Sequence, residues 1–299
     1  GEFPESGFMS TEYLADPGLV CYEEQAEMIS RALGSDGRRC ICVSGENGSG
    51  RRHLVKQCAA RSGRSVLMID FAKYSAAERS SAEKDIVCDL LIKQCCPCIH
   101  GVRADSGSAA LKELLTSVLK ASRSVFVCAD SAGNVPVISG TPPLDIRLAE
   151  LPRSMRSRLW IQCGIPAELA QTAANKYRFT PKNIVLSAER AQEKMKALGM
   201  AELSEKLINS ACAEVAETAF GGKATLIQSR FTMDDLILPA AEKQQITEAL
   251  YQIKYRHIVC DRWNFESRLA YGKGLTMLFA GPPGTGKTMA ATVVAGELG

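Results

Sequence analysis

The chain lacks any apolar run approaching the roughly 18 residues that a membrane span requires, which excludes a transmembrane reading. It also lacks a charge excess. Its 36 basic and 33 acidic residues leave a net charge of +3, too balanced for a protein whose main work is neutralising nucleic-acid phosphates. Histidine is scarce. His53, His100 and His257 have no acid or nucleophile at a recognisable catalytic spacing, so each reads as a satisfied or surface side chain. No secretory signal precedes the twelve scattered cysteines, and Cys40, Cys42 and Cys128 lie inside apolar stretches, the pattern of reduced thiols in a cytoplasm. The densest cluster, Cys95, Cys96 and Cys98 with His100, lacks the second ligand pair of a structural zinc site. It reads as a helix end broken by Pro97.

What remains is an ordinary globular composition, 46% hydrophobic and 23% charged over 299 residues, enough chain for two domains. Residues 1–20, opening GEFPESGFMS, read as a tag remnant and disordered lead. Apolar residues at helical spacing (Leu19, Met28, Ile29, Leu33) predict a lead-in helix. Short β-type runs at 39–44, 66–70, 124–130 and 135–139 alternate with helical stretches, as in a parallel sheet flanked by helices. Past Pro152 no strand is evident; helices are expected at 156–163, 167–177, 181–198 and 204–220, the last stopped by Gly221 and Gly222. A further helix is expected from Ala240 to about Cys260, then a strand at Leu275–Phe279.

Two glycine-rich turns follow strands and open helices. The second, Gly281-Pro282-Pro283-Gly284-Thr285-Gly286-Lys287-Thr288, fits the P-loop pattern at every fixed position and in context. Its glycines let backbone N–H groups curl round phosphate oxygens, and the next helix aims its positive end at them. Lys287 is placed to reach the outer phosphates and Thr288 to give its hydroxyl to Mg²⁺. The first turn keeps Gly45, Gly48 and Gly50 but carries Arg51 at the lysine position and Arg52 at the hydroxyl position. A forked guanidinium is not a point-like ammonium, and a second cation stands where Mg²⁺ would. The strand ending Asp130-Ser131 keeps an acid for a metal but no glutamate to act as general base. The first turn is therefore expected not to support hydrolysis, and either holds an anion or serves as scaffold.

These residues carry a resemblance. GPPGTGKTMAATVVAGELG after LTMLFA, with FTMDDLILP upstream, resembles the tandem AAA (AAA+) ATPases of bacterial type. YRFTPKNI resembles that family's turn into a lid helix, and LPRSMRSRLW its core-to-lid junction. The resemblance implies an α/β, P-loop NTPase-like core with a small all-helical lid: a degenerate core at 21–151, a lid at 152–224, and at 225–299 the N-terminal part of a second module. It further implies ATP and Mg²⁺ as cofactors, a homo-oligomeric ring (most often a hexamer), and cytoplasmic remodelling or unfolding of an unidentified protein complex. The family's helix between third and fourth strands is missing here. The second module breaks off at Gly299 before the acidic pair, sensor and arginine finger that the resemblance implies, so the chain reads as a fragment expected to bind ATP weakly and not to turn it over. Arg153, Arg156 and Arg158 read as the solvated face of a helix rather than an inter-subunit contact. Trp160, Trp263 and Phe265 read as packing anchors. Met289, Val293 and Val294 are expected on a disordered tail or one buried on a neighbour. Two other classes stay open. A nucleic-acid loader or initiator is opposed by the charge balance and the absence of a basic stripe; a non-catalytic assembly adaptor is opposed by Lys287 and Thr288.

Overall fold

Runs in which nearly every side chain is apolar make strands that can be buried on both faces, and three such runs build the centre of the fold. In β2 (Arg39–Gly45), β3 (Val66–Asp70) and β5 (Ser124–Ala129) successive residues are buried, as parallel strands covered by helices on either side require. The computed structural model describes residues 9–14, 18–19, 21–34, 37–74, 79–103, 108–138, 142–219, 231–255 and 275–298. Contacts divide the chain into two units, residues 1–190 and 191–299.

The first unit holds a six-stranded sheet in the order β1-β3-β4-β5-β2-β6, completed by β1 (Met9–Glu12), β4 (Cys96–Val102) and β6 (Leu144–Leu148). Only β1 runs antiparallel, pairing Met9 with Ile69 and Glu12 with Val66; the other pairs are parallel. With α1 (Glu23–Gly34), α2 (Arg51–Arg61), α3 (Arg79–Lys93) and α4 (Ser108–Ala121) around it, this is the expected α/β, P-loop NTPase-like sheet. One face carries the main core, where Ile86 and Leu90 of α3 and Leu111, Leu114, Leu115 and Val118 of α4 cluster with Leu67, Ile69, Ile99, Val125 and Val127. Alternation along the strands sends Ile41, Val43, Met68 and Phe126 to the other face, where α2 contributes buried Leu54, Val55 and Cys58.

Several sequence expectations need correction. The Cys96–Cys98 cluster is not a helix end; it is a central strand, with Pro97 opposite Leu67. Proline is tolerated because it sits near the strand start, and Cys96 N–H still bonds the Ser65 carbonyl. No group of three or more metal-ligating side chains forms among the described residues. The last parallel strand lies at 144–148 rather than 135–139, where only Ile138 makes an isolated bridge. The helix expected to be missing between the third and fourth strands is present: counted from β2 these strands are β4 and β5, and α4 lies between them, while between β5 and β6 the described residues carry a 3-10 turn at Ala132–Asn134. Residues 9–12, set aside as part of a disordered lead, form the antiparallel edge strand.

The helices past Pro152 lie close to their expected places: α5 (Arg153–Gln162), α6 (Ala167–Lys176), α7 (Pro181–Ala197) and α8 (Glu205–Ala219). Arg156 is no solvated side chain. It is 6% exposed and donates to the carbonyls of Leu151 (2.6 Å) and Ala174 (3.1 Å), tying α5 to α6 and to the chain leaving the sheet. Trp160 is fully buried, as a packing anchor should be. His257, Trp263, Phe265, Gly221 and Gly222 lie outside the described residues.

In the second unit, Lys194 near the end of α7 pairs with Glu214 and bonds Ser210 of α8. Further along are α9 (Ala240–Lys254) and α10 (Lys287–Leu298). The segment before α9 is turned by Thr232, whose N–H and hydroxyl both donate to Asp235. It then buries Leu236 against Ala290 and Val293, flanked by Met233, Leu238, Phe279 and Met289. This overturns the expectation of a disordered tail, since Val293 and Val294 are buried in a regular helix. The expected strand at 275–279 is also corrected. Residues 275–280 have no regular structure and no strand partner among the described residues, and Leu278 is 90% exposed; an apolar run cannot register as a strand without a neighbour to pair with.

Candidate functional site

Parallel strands deliver their C-terminal ends to one edge of a sheet, and in open α/β folds that edge is where ligands bind. In the first unit Gly45, Asp70, Val102 and Leu148 close their strands there, and Asp130 follows β5. Two glycine turns carry the candidate chemistry, one at this edge and one in the second unit. Their backbones match. Gly45, Gly48 and Gly50 have φ of 155°, 89° and 92°; Gly281, Gly284 and Gly286 have 155°, 83° and 79°. The last two glycines of each set lie in the left-handed region that other residues resist. A Cβ at Gly284 or Gly286 would meet nothing within 4 Å, so conformation, not crowding, calls for glycine in the second turn.

The second turn is open. Gly281 to Gly286 and Thr288 are all exposed, and Lys287 is half-buried. The Lys287 ammonium folds over the turn and donates to the carbonyls of Gly281 (2.9 Å) and Pro282 (2.7 Å), while the Thr285 hydroxyl donates to the Pro282 carbonyl at 2.9 Å. Helix α10 starts at Lys287, so its unpaired N–H groups and positive end face the turn. Glycine amides, an ammonium and a hydroxyl one residue on form a donor set suited to phosphate oxygens and a bound Mg²⁺.

Residues 277–299 match the family model described as ATPase family associated with various cellular activities (AAA). The match covers the second turn and the helix that follows, and supports an AAA-type ATPase in general. Such a family implies nucleotide binding, typically with Mg²⁺, and often oligomerisation. No curated protein matches the chain.

The first turn shares the backbone shape of the second but has different surroundings. Arg51, at the lysine position, does not fold over the turn; its guanidinium bonds Asp130 at 2.7 Å, with Arg51 16% and Asp130 62% exposed at the side chain. Arg52 is exposed at the hydroxyl position, so the turn presents a cation where a Mg²⁺ ligand is needed, and the metal does not fit. Gly48 is half-buried and Ser49 buried, where the second turn is exposed. Lys182 N–H donates to the Gly48 carbonyl at 3.1 Å, and a Cβ on Gly48 would lie 2.7 Å from the Thr180 hydroxyl. Ser49 is 2% exposed. Sequence reasoning missed Thr180 and Lys182 as neighbours of this turn. The Thr-Pro pair does mark a helix start, but not what that start rests on.

Asp130 needs one correction of place. With β4 unrecognised, its strand counted as third; it follows the strand directly beside β2. The end of β4 instead brings His100 to 3.8 Å from Asp70. Burial holds the His100 imidazole below its ordinary pKa, and Arg52 and Lys56 push the same way against Asp70. Gly101 (φ 76°) makes this approach possible, because a Cβ there would lie 2.8 Å from the Asp70 carboxylate. The cysteines near the sheet are chemically quiet. Burial raises the thiols of Cys40 and Cys42 to about 12. Cys98 lies 3.7 Å from Cys128, and that contact together with full burial raises its pKa as well. Such thiols carry little thiolate and react slowly.

Proposed function

We propose that the Gly281–Thr288 turn is a Walker A P-loop that binds ATP with Mg²⁺, and that the first module is a nucleotide-inactive scaffold. The observation that carries this reading is the contrast between two turns of the same backbone shape. The second holds Lys287 over an exposed cradle, whereas the first has its cation drawn off by Asp130. In the second, the amides of Gly284 to Thr288 and the Lys287 ammonium would hold the phosphates and Thr288 the metal. Bound Mg²⁺ would neutralise charge on the outer phosphates. Arg51 and Arg52 at the first turn, and Asp130 after β5, are consumed or misplaced for that work.

Residues 21–151 then make a degenerate core, 152–224 a helical lid, and 225–299 belong to a second module. ATP binding and hydrolysis by the second module would drive remodelling or unfolding of a protein complex, in a cytoplasmic homo-oligomeric ring of the kind the family favours. No helix among the described residues is long and apolar enough to cross a membrane, and the charge balance gives no support to a nucleic-acid partner. The test is fluorescence titration with a ribose-labelled ATP analogue, with and without Mg²⁺. Binding that tightens with Mg²⁺, and loses that enhancement in Thr288→Ala, is expected. Binding indifferent to both would end the assignment.

A further inference from the structure

The first glycine turn has a phosphate-cradle backbone, and a segment of the chain itself rests against its Gly48. Helix α7 begins against it. Thr180 caps that helix, its carbonyl accepting from Ile184 N–H and its hydroxyl lying 3.4 Å from Asn183 N–H. The same residue sits where a Gly48 side chain would start, and the next turn residue but one, Lys182, donates its N–H to the Gly48 carbonyl. A Gly48 Cβ would also come within 3.3 Å of the Lys182 Cβ. A phosphate-binding turn offers its backbone N–H groups to the ligand, whereas α7 engages this turn through the Gly48 carbonyl. The matching Gly284 has open space around it. Two turns with one backbone shape therefore differ in what lies on them: among the described residues nothing approaches Gly284, whereas the start of α7 lies on Gly48. The Arg51–Asp130 pair holds the cation at the lysine position.

We infer that the first turn is a docking seat for the start of α7, holding the α/β core against its helical segment without nucleotide. This rests on reading the first module as nucleotide-inactive, and adds what holds its core to the helix. A module closed by ATP changes its core-to-helix contact as ATP comes and goes. A module closed by Gly48, Thr180 and Lys182 keeps one arrangement throughout.

Hydrogen–deuterium exchange over residues 180–190 tests this in the full chain. Lys287→Ala serves as the background, so that ATP cannot act through the second turn. Gly48→Ala and Gly50→Ala form a matched pair. Both glycines have φ near 90° (89° and 92°), so both substitutions carry similar backbone strain, but only the Gly48 methyl collides with Thr180; at Gly50 nothing lies within 4 Å. The start of α7 is expected to be protected without nucleotide and unchanged by ATP and Mg²⁺. Gly48→Ala should speed exchange there by about fivefold to tenfold, the loss of one backbone hydrogen bond and its packing, while Gly50→Ala leaves it at the parent rate. Equal effects of the two substitutions would overturn the inference. So would a segment that exchanges freely until ATP is added, whatever the fate of the variants. Exchange in β4 and β5 reports whether Gly48→Ala has lost the fold, in which case the ATP comparison on the parent decides alone. Failure of ATP binding in the unmodified chain would strike the second-turn reading and leave this one standing.

Discussion

Replacing Arg156 by Met should cost the first unit about 2–6 kcal/mol, because it strips donors from two buried carbonyls at roughly 1–3 kcal/mol each. Arg156 is 6% exposed and bonds Leu151 at 2.6 Å and Ala174 at 3.1 Å. Methionine retains much of the stem volume, so cavity formation is a small part of the effect. For a unit of this size each kcal/mol moves the melting midpoint by about 2–4 °C, so a fall of about 4–24 °C is expected. Differential scanning calorimetry reads it, with Arg156→Lys recovering part of the loss through its single ammonium. A Met variant melting with wild type would refute the reasoning, and would return Arg156 to the solvated face that the sequence suggested.

Three further predictions follow from the same geometry. Arg51→Lys combined with Arg52→Thr restores the sequence pattern of the second turn but should not confer ATP binding on the first, since α7 still covers Gly48; calorimetry in the Lys287→Ala background measures it, and a new binding isotherm would contradict the covering. Burial lowers the pKa of His100 and of His53 from the ordinary 6.5. The unfolded chain therefore takes up protons first as pH falls below about 6.5, and stability must drop on acidification. Urea midpoints between neutral and mildly acid pH should fall less steeply for His100→Gln than for wild type; equal slopes would remove His100 from the account. Iodoacetamide should modify exposed Cys88 well before buried Cys98 and Cys128, as read by peptide mass spectrometry; early labelling of Cys98 in the native protein would contradict the buried pair.

How far the sequence could be read depended on whether a signal was local. β2, β3 and β5 were legible because continuous apolar runs bounded by turns leave little else for those residues to do. β4 was hidden by its own composition, since Pro97 signals a break and clustered cysteines suggest a metal. Only the flanking partners β3 and β5 explain why that run is extended. β6 was displaced by several residues because Val135–Ile138 is as apolar as Leu144–Leu148, and pairing with β2 chose between them. The two glycine turns were legible in detail, as positive φ leaves a direct mark in residue choice. Their difference was only half legible. Arg51 and Arg52 announced a changed chemistry, but the Thr180–Lys182 cover depends on where a helix more than a hundred residues later comes to rest. Arg156 failed for the same reason, because a charged residue in a helix reads as solvated until its buried carbonyl partners are located.

The central claim is that two turns of one backbone shape differ in ligand capacity, with ATP going to the second alone. Calorimetric titration of the chain with ATP and Mg²⁺, alongside Lys287→Ala and Arg51→Ala, tests it most directly. The account predicts binding that weakens by roughly tenfold or more in Lys287→Ala, the worth of a charge-assisted phosphate contact, and stays unchanged in Arg51→Ala. Binding that survives Lys287→Ala and disappears with Arg51→Ala would contradict it, and would make the covered first turn the nucleotide site.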